Sequence, residues 1–186
     1  AGAWIAAVGS GFSSQHVVDL QGQVVTPGLI DTHVHVESSM CGPAEFARAV
    51  VPHGVTTVIS DPHEIANVAG VEGIRYMLDA SENLPLTIYV NLPSCVPATS
   101  MGTAGATLAA KDLLALRDHP RVIGLAEFMN VPGAVLGLPD AIEKLLAFQD
   151  SHIDGHAPGT TGKQLQAYIA AGPATDHEST TAEEAL

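Results

Sequence analysis

The stretch "LIDTHVHVESSM", residues 29–40, ends an apolar run in two histidines one residue apart, with a carboxylate two positions further on. His33 and His35 are i and i+2, so on an extended strand both side chains leave from one face. Two imidazoles on one face at a strand end could hold a divalent cation between them. His-x-His also occurs on exposed strands with no function, so the tripeptide needs support from elsewhere. Four further places supply it: Asp61, His63 and Glu64 in "SDPHE", Glu127 in "VIGLAEFM", His156 in "DGHAP", and Asp176, His177 and Glu178 in "TDHE". A single buried histidine is usually hydrogen-bonded structure, and an Asp-His-Glu run suits a helix start. Glu127 is harder to dismiss, because an unpaired charge in an apolar strand has a large desolvation cost. A metal ion would offset it.

The elements that must position these residues are short. The β candidates are "GLID", "GVTTVIS", "LTIYVNL", "RVIGLAEF", "HIDGH" and "PATDHE". Helical candidates alternate with them: "PAEFARAVV", with Pro in the first turn, "GVEGIRYMLDASE", "ATLAAKDLLALRD", "PDAIEKLLAFQD" and "TGKQLQAYIAA". This alternation predicts βα units and a parallel sheet from residue 28 to 186. Nearly every strand candidate stops in a histidine or a carboxylate. In a parallel α/β barrel those C-terminal ends converge on one face, which would bring the five places together. Residues 1–27 read differently, as short β pieces around a Gln21-Gly22 turn, part of a small β domain. His53 and His119 sit in turns before strands, at the opposite barrel end, and read as structural; His16 and His152 receive no role.

Composition removes other classes. Hydrophobic residues make up 46% of the 186 and charged ones 15%, a globular balance. Seven basic residues against 20 acidic give a net charge of −13 with no basic cluster, which argues against a nucleic-acid or anionic-membrane partner. No apolar run is long enough to span a membrane. Cys41 and Cys95 are too few and too isolated for a disulfide framework or a CxxC zinc site, so a reducing, cytoplasmic setting is expected. "HEIAN" lacks the second histidine of HExxH, and the single cysteine of "PSCVPA" cannot complete the signature of the zinc nucleobase deaminases. No GxSxG elbow, Walker loop or GxGxxG is present.

"PGLIDTHVHVESS" resembles the opening strand of the amidohydrolase superfamily, whose members build a metal site at the mouth of a (β/α)8 TIM barrel. The closer resemblance is to the adenine deaminase family, carried by "DTHVHVESSM", "HGVTTVISDPHEIANVAG", "LPSCVPAT", "GLAEFMN", "DGHAPG", "AYIAAG" and "DHEST" in that order. It implies that His33 and His35 bind one metal, that His156 and His177 bind a second, and that Glu127 bridges the two as the catalytic carboxylate. Asp61, His63 and Glu64 would line the site or help hold substrate. Two divalent ions are implied, manganese or iron, with zinc as the alternative. Mixed imidazole and carboxylate donors suit these ions better than magnesium or calcium.

The activity so implied is hydrolysis of adenine, a small purine, to hypoxanthine and ammonia in a cytoplasmic enzyme that is a homo-oligomer at full length. The chain departs from the family at Met101–Ala106, which lacks a glutamate, and at Pro173, where a branched apolar residue is usual. About six of eight barrel strands are expected, without the eighth-strand aspartate of the superfamily, so the chain alone is expected not to turn over adenine. Two alternatives stand beside this reading: another amidohydrolase acting on a cyclic amide or a different aminopurine, and a non-catalytic relative of the barrel.

Overall fold

The computed structural model describes residues 4–99 and 101–186. Five strands form one parallel sheet in sequential order: β1 (Leu29–Val34), β2 (Val55–Ser60), β3 (Thr87–Leu92), β4 (Val122–Phe128) and β5 (His152–Gly155). The connections carry α1 (Pro43–Val50) between β1 and β2, α2 (His63–Ala80) between β2 and β3, and α3 (Ala110–Leu114) between β3 and β4. Between β4 and β5 lie α4 (Val131–Leu136) and α5 (Pro139–Ala147); α6 (Gly162–Ala170) and the short α7 (Ala182–Ala185) follow β5. A strand order that never reverses is the winding of a barrel and not of a doubly wound sheet.

The sheet is strongly curled. Flat, its outer strands β1 and β5 would stand about 19 Å apart, at about 4.8 Å per neighbour. Instead His33 on β1 and Asp154 on β5 meet at 2.9 Å. The result is part of a barrel wall, concave toward those two side chains.

Apolar residues fill the space between the wall and its helices. Leu92, Leu125, Phe128 and Ile153 from the strands pack with Ile74 and Leu78 of α2, Leu113 of α3, Leu145 of α5 and Tyr168 of α6. A second cluster joins Val58 and Ile88 to Ala47 of α1. Strand alternation then sends polar side chains inward: on β3, Ile88, Val90 and Leu92 face these clusters while buried Asn91 does not belong to them. The buried apolar side chains, at about 1.5–3 kcal/mol each, stabilise the wall that carries the polar groups.

Three expectations need correction. The segment 173–178, read as a sixth strand, forms no ladder; it lies beside β5 through one backbone bond, from Ala174 N–H to the Ile153 carbonyl at 3.0 Å. Pro173 has no N–H to extend that pairing. Around Gln21-Gly22 the turn exists, with φ of 52° and 84° and a Gln23-to-Leu20 bond of 2.9 Å, but no strands flank it among the described residues. Val17, Val18, Val24 and Val25 there are exposed, and a lone hairpin with no apolar surface to cover is marginal in water. Finally, α2 begins seven residues before "GVEGIRYMLDASE". It bends at Gly70, whose φ of 60° suits glycine, and a Cβ there would lie 3.2 Å from that of Ala106.

Candidate metal centre

His33, His35, Asp61, His63, Glu127, Asp154, His156 and His177 come together at the C-terminal ends of the strands. The Glu127 carboxylate is their hub and is only 4% exposed. Its Oε2 lies 2.8 Å from His156 Nδ1 and 3.0 Å from His177 Nε2. Its Oε1 faces the other way, 3.4 Å from His63 Nδ1 and 3.7 Å from His35 Nε2. Among the described residues every cationic partner within 4 Å of this buried acid is a histidine; no lysine or arginine reaches it.

The supporting contacts explain why the side chains aim inward. His35 Nδ1 donates to the Asp61 carbonyl at 2.9 Å, and His33 Nδ1 donates to Asp154 Oδ2 at 2.9 Å. Each of these bonds fixes a ring and leaves its Nε2 turned to the centre. Ser94 Oγ donates to the Glu127 carbonyl at 2.6 Å and so holds the end of β4. The Tyr168 hydroxyl donates to the Phe128 carbonyl at 2.6 Å and accepts from His156 N–H at 3.0 Å, tying the ends of β4 and β5 to α6. Asp176 accepts from Ala157 N–H at 3.0 Å and from Ser179 Oγ at 2.6 Å, which orders the turn that carries His177.

Charge is concentrated here. Burial alone would lower the pKa of His63, but the hydrogen bond and charge of Asp61, with Glu64 and Glu127 nearby, raise it to about 9. Burial likewise opposes the charged form of His33, and Asp154, Glu127 and Asp61 outweigh it, so its pKa is raised. Asp154 is lowered: burial pushes it up, and bonds from His33 and Thr175 more than reverse this. Asp61, 2% exposed, is pushed up by burial against the pull of His63 and His35. Glu37, on the turn after β1, is raised, chiefly by burial.

The donor set fits divalent cations. His33 Nε2 and His35 Nε2 are 3.1 Å apart, and each Nδ1 already faces an oxygen acceptor, an arrangement that one shared cation fits. Two nitrogens about 2.1 Å from one cation stand about 3 Å apart at a right angle. Asp61 Oδ1 and Glu64 Oε2 are buried and have no hydrogen-bond partner. Three groups have all their donor atoms within 4.8 Å of one another: His35, Asp61, His63 and Glu127; His33, Asp154 and His177; Glu127, His156 and His177.

A family model described as the amidohydrolase family matches residues 24–186. The chain belongs to the amidohydrolase family. Among curated relatives it is similar to an adenine deaminase of Cereibacter sphaeroides, 59% identical over 175 residues, which cover 94% of this chain and 31% of that protein. It is similar also to adenine deaminase 2 of Carboxydothermus hydrogenoformans, 58% identical over 182 residues, 98% of this chain and 32% of that protein. A third, the adenine deaminase of Gluconobacter oxydans, is 57% identical over 175 residues, 94% of this chain and 31% of that protein. The chain spans about a third of the length of the curated relatives it matches. For this amidohydrolase the resemblance read from "DTHVHVESSM" and "DGHAPG" therefore holds at family level.

All eight residues expected at the site gather there. Glu64 is placed less deeply than the rest, half-exposed on the first turn of α2, with Oε2 3.6 Å from His35 Nδ1. Asp176 and Glu178 stay at the rim, while Asp154 is an addition. It contacts His33 and the Thr175 hydroxyl, and "HIDGH", with Ile153 as its one apolar residue, gives no pattern that marks the acid as buried. His53 and His119 precede β2 and β4, away from the centre, as expected.

Proposed function

We propose that the protein to which this chain belongs hydrolyses adenine to hypoxanthine and ammonia, and that these residues form its metal centre. The observation that carries the reading is the Glu127 carboxylate, buried among five histidines with one oxygen turned to each side. His33 and His35 would hold one ion, His156 and His177 a second, with Glu127 shared between them; manganese or iron suits the donors, zinc next. When bound, such ions lower the pKa of water and so supply a nucleophile near neutral pH.

The chain's own residues do the rest. Asp61 keeps His63 protonated at neutral pH, so its Nε2–H can donate to a purine ring nitrogen or to the departing amine. Glu64, beside it at 3.7 Å, can take a proton back. Asp154 and the Asp61 carbonyl hold the first two histidines in one tautomer. Substrate specificity for adenine rests on the named relatives. The same reading includes a small β domain containing residues 1–27, a homo-oligomer and a cytoplasmic location; among the described residues no helix is long and apolar enough to cross a membrane.

The test is to express the complete reading frame, load it with manganese, and assay adenine, guanine, cytosine and a dihydropyrimidine side by side. Ammonia release from adenine alone supports the reading. Turnover only of a non-purine would give the site to another cyclic-amide hydrolase, and failure to retain any divalent ion would overturn the centre itself.

A further inference from the structure

The first turn of α2 carries His63 and Glu64 into the site, yet its N-cap residue makes no side-chain cap bond. Its N-cap residue is Pro62, which has no side-chain acceptor to offer the N–H groups of the first turn. The missing cap comes from the turn Val36–Ser39, directly after β1. Glu37 Oε1 accepts from Ile65 N–H at 3.2 Å, across 28 residues of sequence. Next to it, Ser38 Oγ donates to Glu64 Oε1 at 2.6 Å. Glu37 is half-buried, and its Oε2 has no hydrogen-bond partner, so the carboxylate bears a desolvation cost against its backbone contacts, to its own N–H and across the turn to Ile65 N–H. Such a cost is out of proportion to one cap on an exposed helix. It fits a contact whose task is to fix the geometry of what the helix presents.

We propose that Glu37 and Ser38 form a clamp that sets the position of His63 and Glu64 relative to the histidines of β1. They are positioning residues and do not touch substrate. The clamp joins the two loops directly: His33 and His35 end β1, the clamp follows within three residues, and its far end is the first turn of α2. Ser38 also orients Glu64, which lies 3.6 Å from His35 Nδ1 and 3.7 Å from His63 Nε2. Without it, the Glu64 carboxylate can rotate away from both rings. Glu37 governs the backbone of the helix turn and Ser38 governs one side chain on it, so their loss should differ in kind. The proposal rests on the reading of His63 and Glu64 as substrate-side groups.

The experiment uses the complete, manganese-loaded protein with Glu37→Ala, Glu37→Gln and Ser38→Ala, reading metal content, kcat and KM for adenine, and amide exchange at Ile65. Expected for Glu37→Ala and Ser38→Ala is wild-type metal content with kcat down about tenfold to a hundredfold, as for a displaced catalytic group, and KM changed less than about threefold. Glu37→Gln keeps an oxygen acceptor for Ile65 N–H and should recover most of kcat. Exchange at Ile65 should accelerate in Glu37→Ala and not in Ser38→Ala. Metal loss in step with activity would make the turn a mere support for β1 and overturn the clamp, as would unchanged kcat in both alanine variants. If the wild type does not act on adenine, the functional reading fails separately and the exchange arm decides: unchanged protection at Ile65 in Glu37→Ala refutes the clamp.

Discussion

Tyr168→Phe removes one oxygen from the back of the site. That hydroxyl is fully buried and serves two backbone groups, the Phe128 carbonyl at 2.6 Å and the His156 N–H at 3.0 Å. The ring remains and still fills its place in the core beside Phe128, so little packing is lost. What is lost is satisfaction of one buried acceptor and one buried donor, each costing about 1–3 kcal/mol when left unpaired. Sharing of the penalty through small movements brings the expected total to about 2–4 kcal/mol. For a domain of this size that lowers the melting temperature by about 5–15 °C. The same change frees the ends of β4 and β5, where Glu127 and His156 begin. Loss of such supporting contacts typically weakens metal binding about tenfold to a hundredfold. The assay is a thermal melt, with and without manganese, beside a competition titration against a fluorescent chelator. A melt lowered by less than about 1 °C, or a full stability loss with metal affinity untouched, would refute the idea that this hydroxyl couples the wall to the centre.

Two further outcomes are expected. Asp154→Ala leaves His33 Nδ1 without its acceptor and should weaken metal binding about tenfold to a hundredfold; chelator competition measures it, and unchanged affinity would remove Asp154 from the site. In metal-free protein, the His63 imidazole should titrate near pH 9 by histidine Cε1–H NMR, and a midpoint near 6.5 would contradict the Asp61–His63 pairing. Because that pKa is raised on folding, its contribution to stability is complete below about pH 6.5 and is lost as pH rises through about 9.

Much of this is legible in the amino-acid sequence. His33 and His35 share a face because a strand alternates with period two, and Glu127 stood out because an apolar strand gives an acid no solvent. The order of β1 to β5 followed from alternation with helices. Three things stayed hidden for physical reasons. Asp154 sits in the four-residue β5, "HIDG", whose one apolar residue is Ile153, too short for its burial to be read from pattern. The helix carrying His63 was cut at Gly70, since a residue with positive φ interrupts helical periodicity even where the chain resumes it. α4, "VPGAVL", contains a glycine and a proline in six residues and has no helical signature of its own; it rests on the Asn130 side chain, which accepts from Gly133 N–H at 2.9 Å. The site was thus easier to read than the scaffold, because chemistry confines residue types more tightly than packing does.

The central claim is that one buried carboxylate holds two metal ions for hydrolysis of adenine, and Glu127→Gln tests it most directly. The amide matches the carboxylate in shape but lacks the charge to be shared by two cations. The measurement is metal content per chain, by elemental analysis, together with ammonia release from adenine, on the complete protein after manganese loading. The account predicts about two ions per wild-type chain, a loss of at least one in the variant, and no turnover there beyond about a thousandth of wild type. Two ions retained with full activity would contradict it.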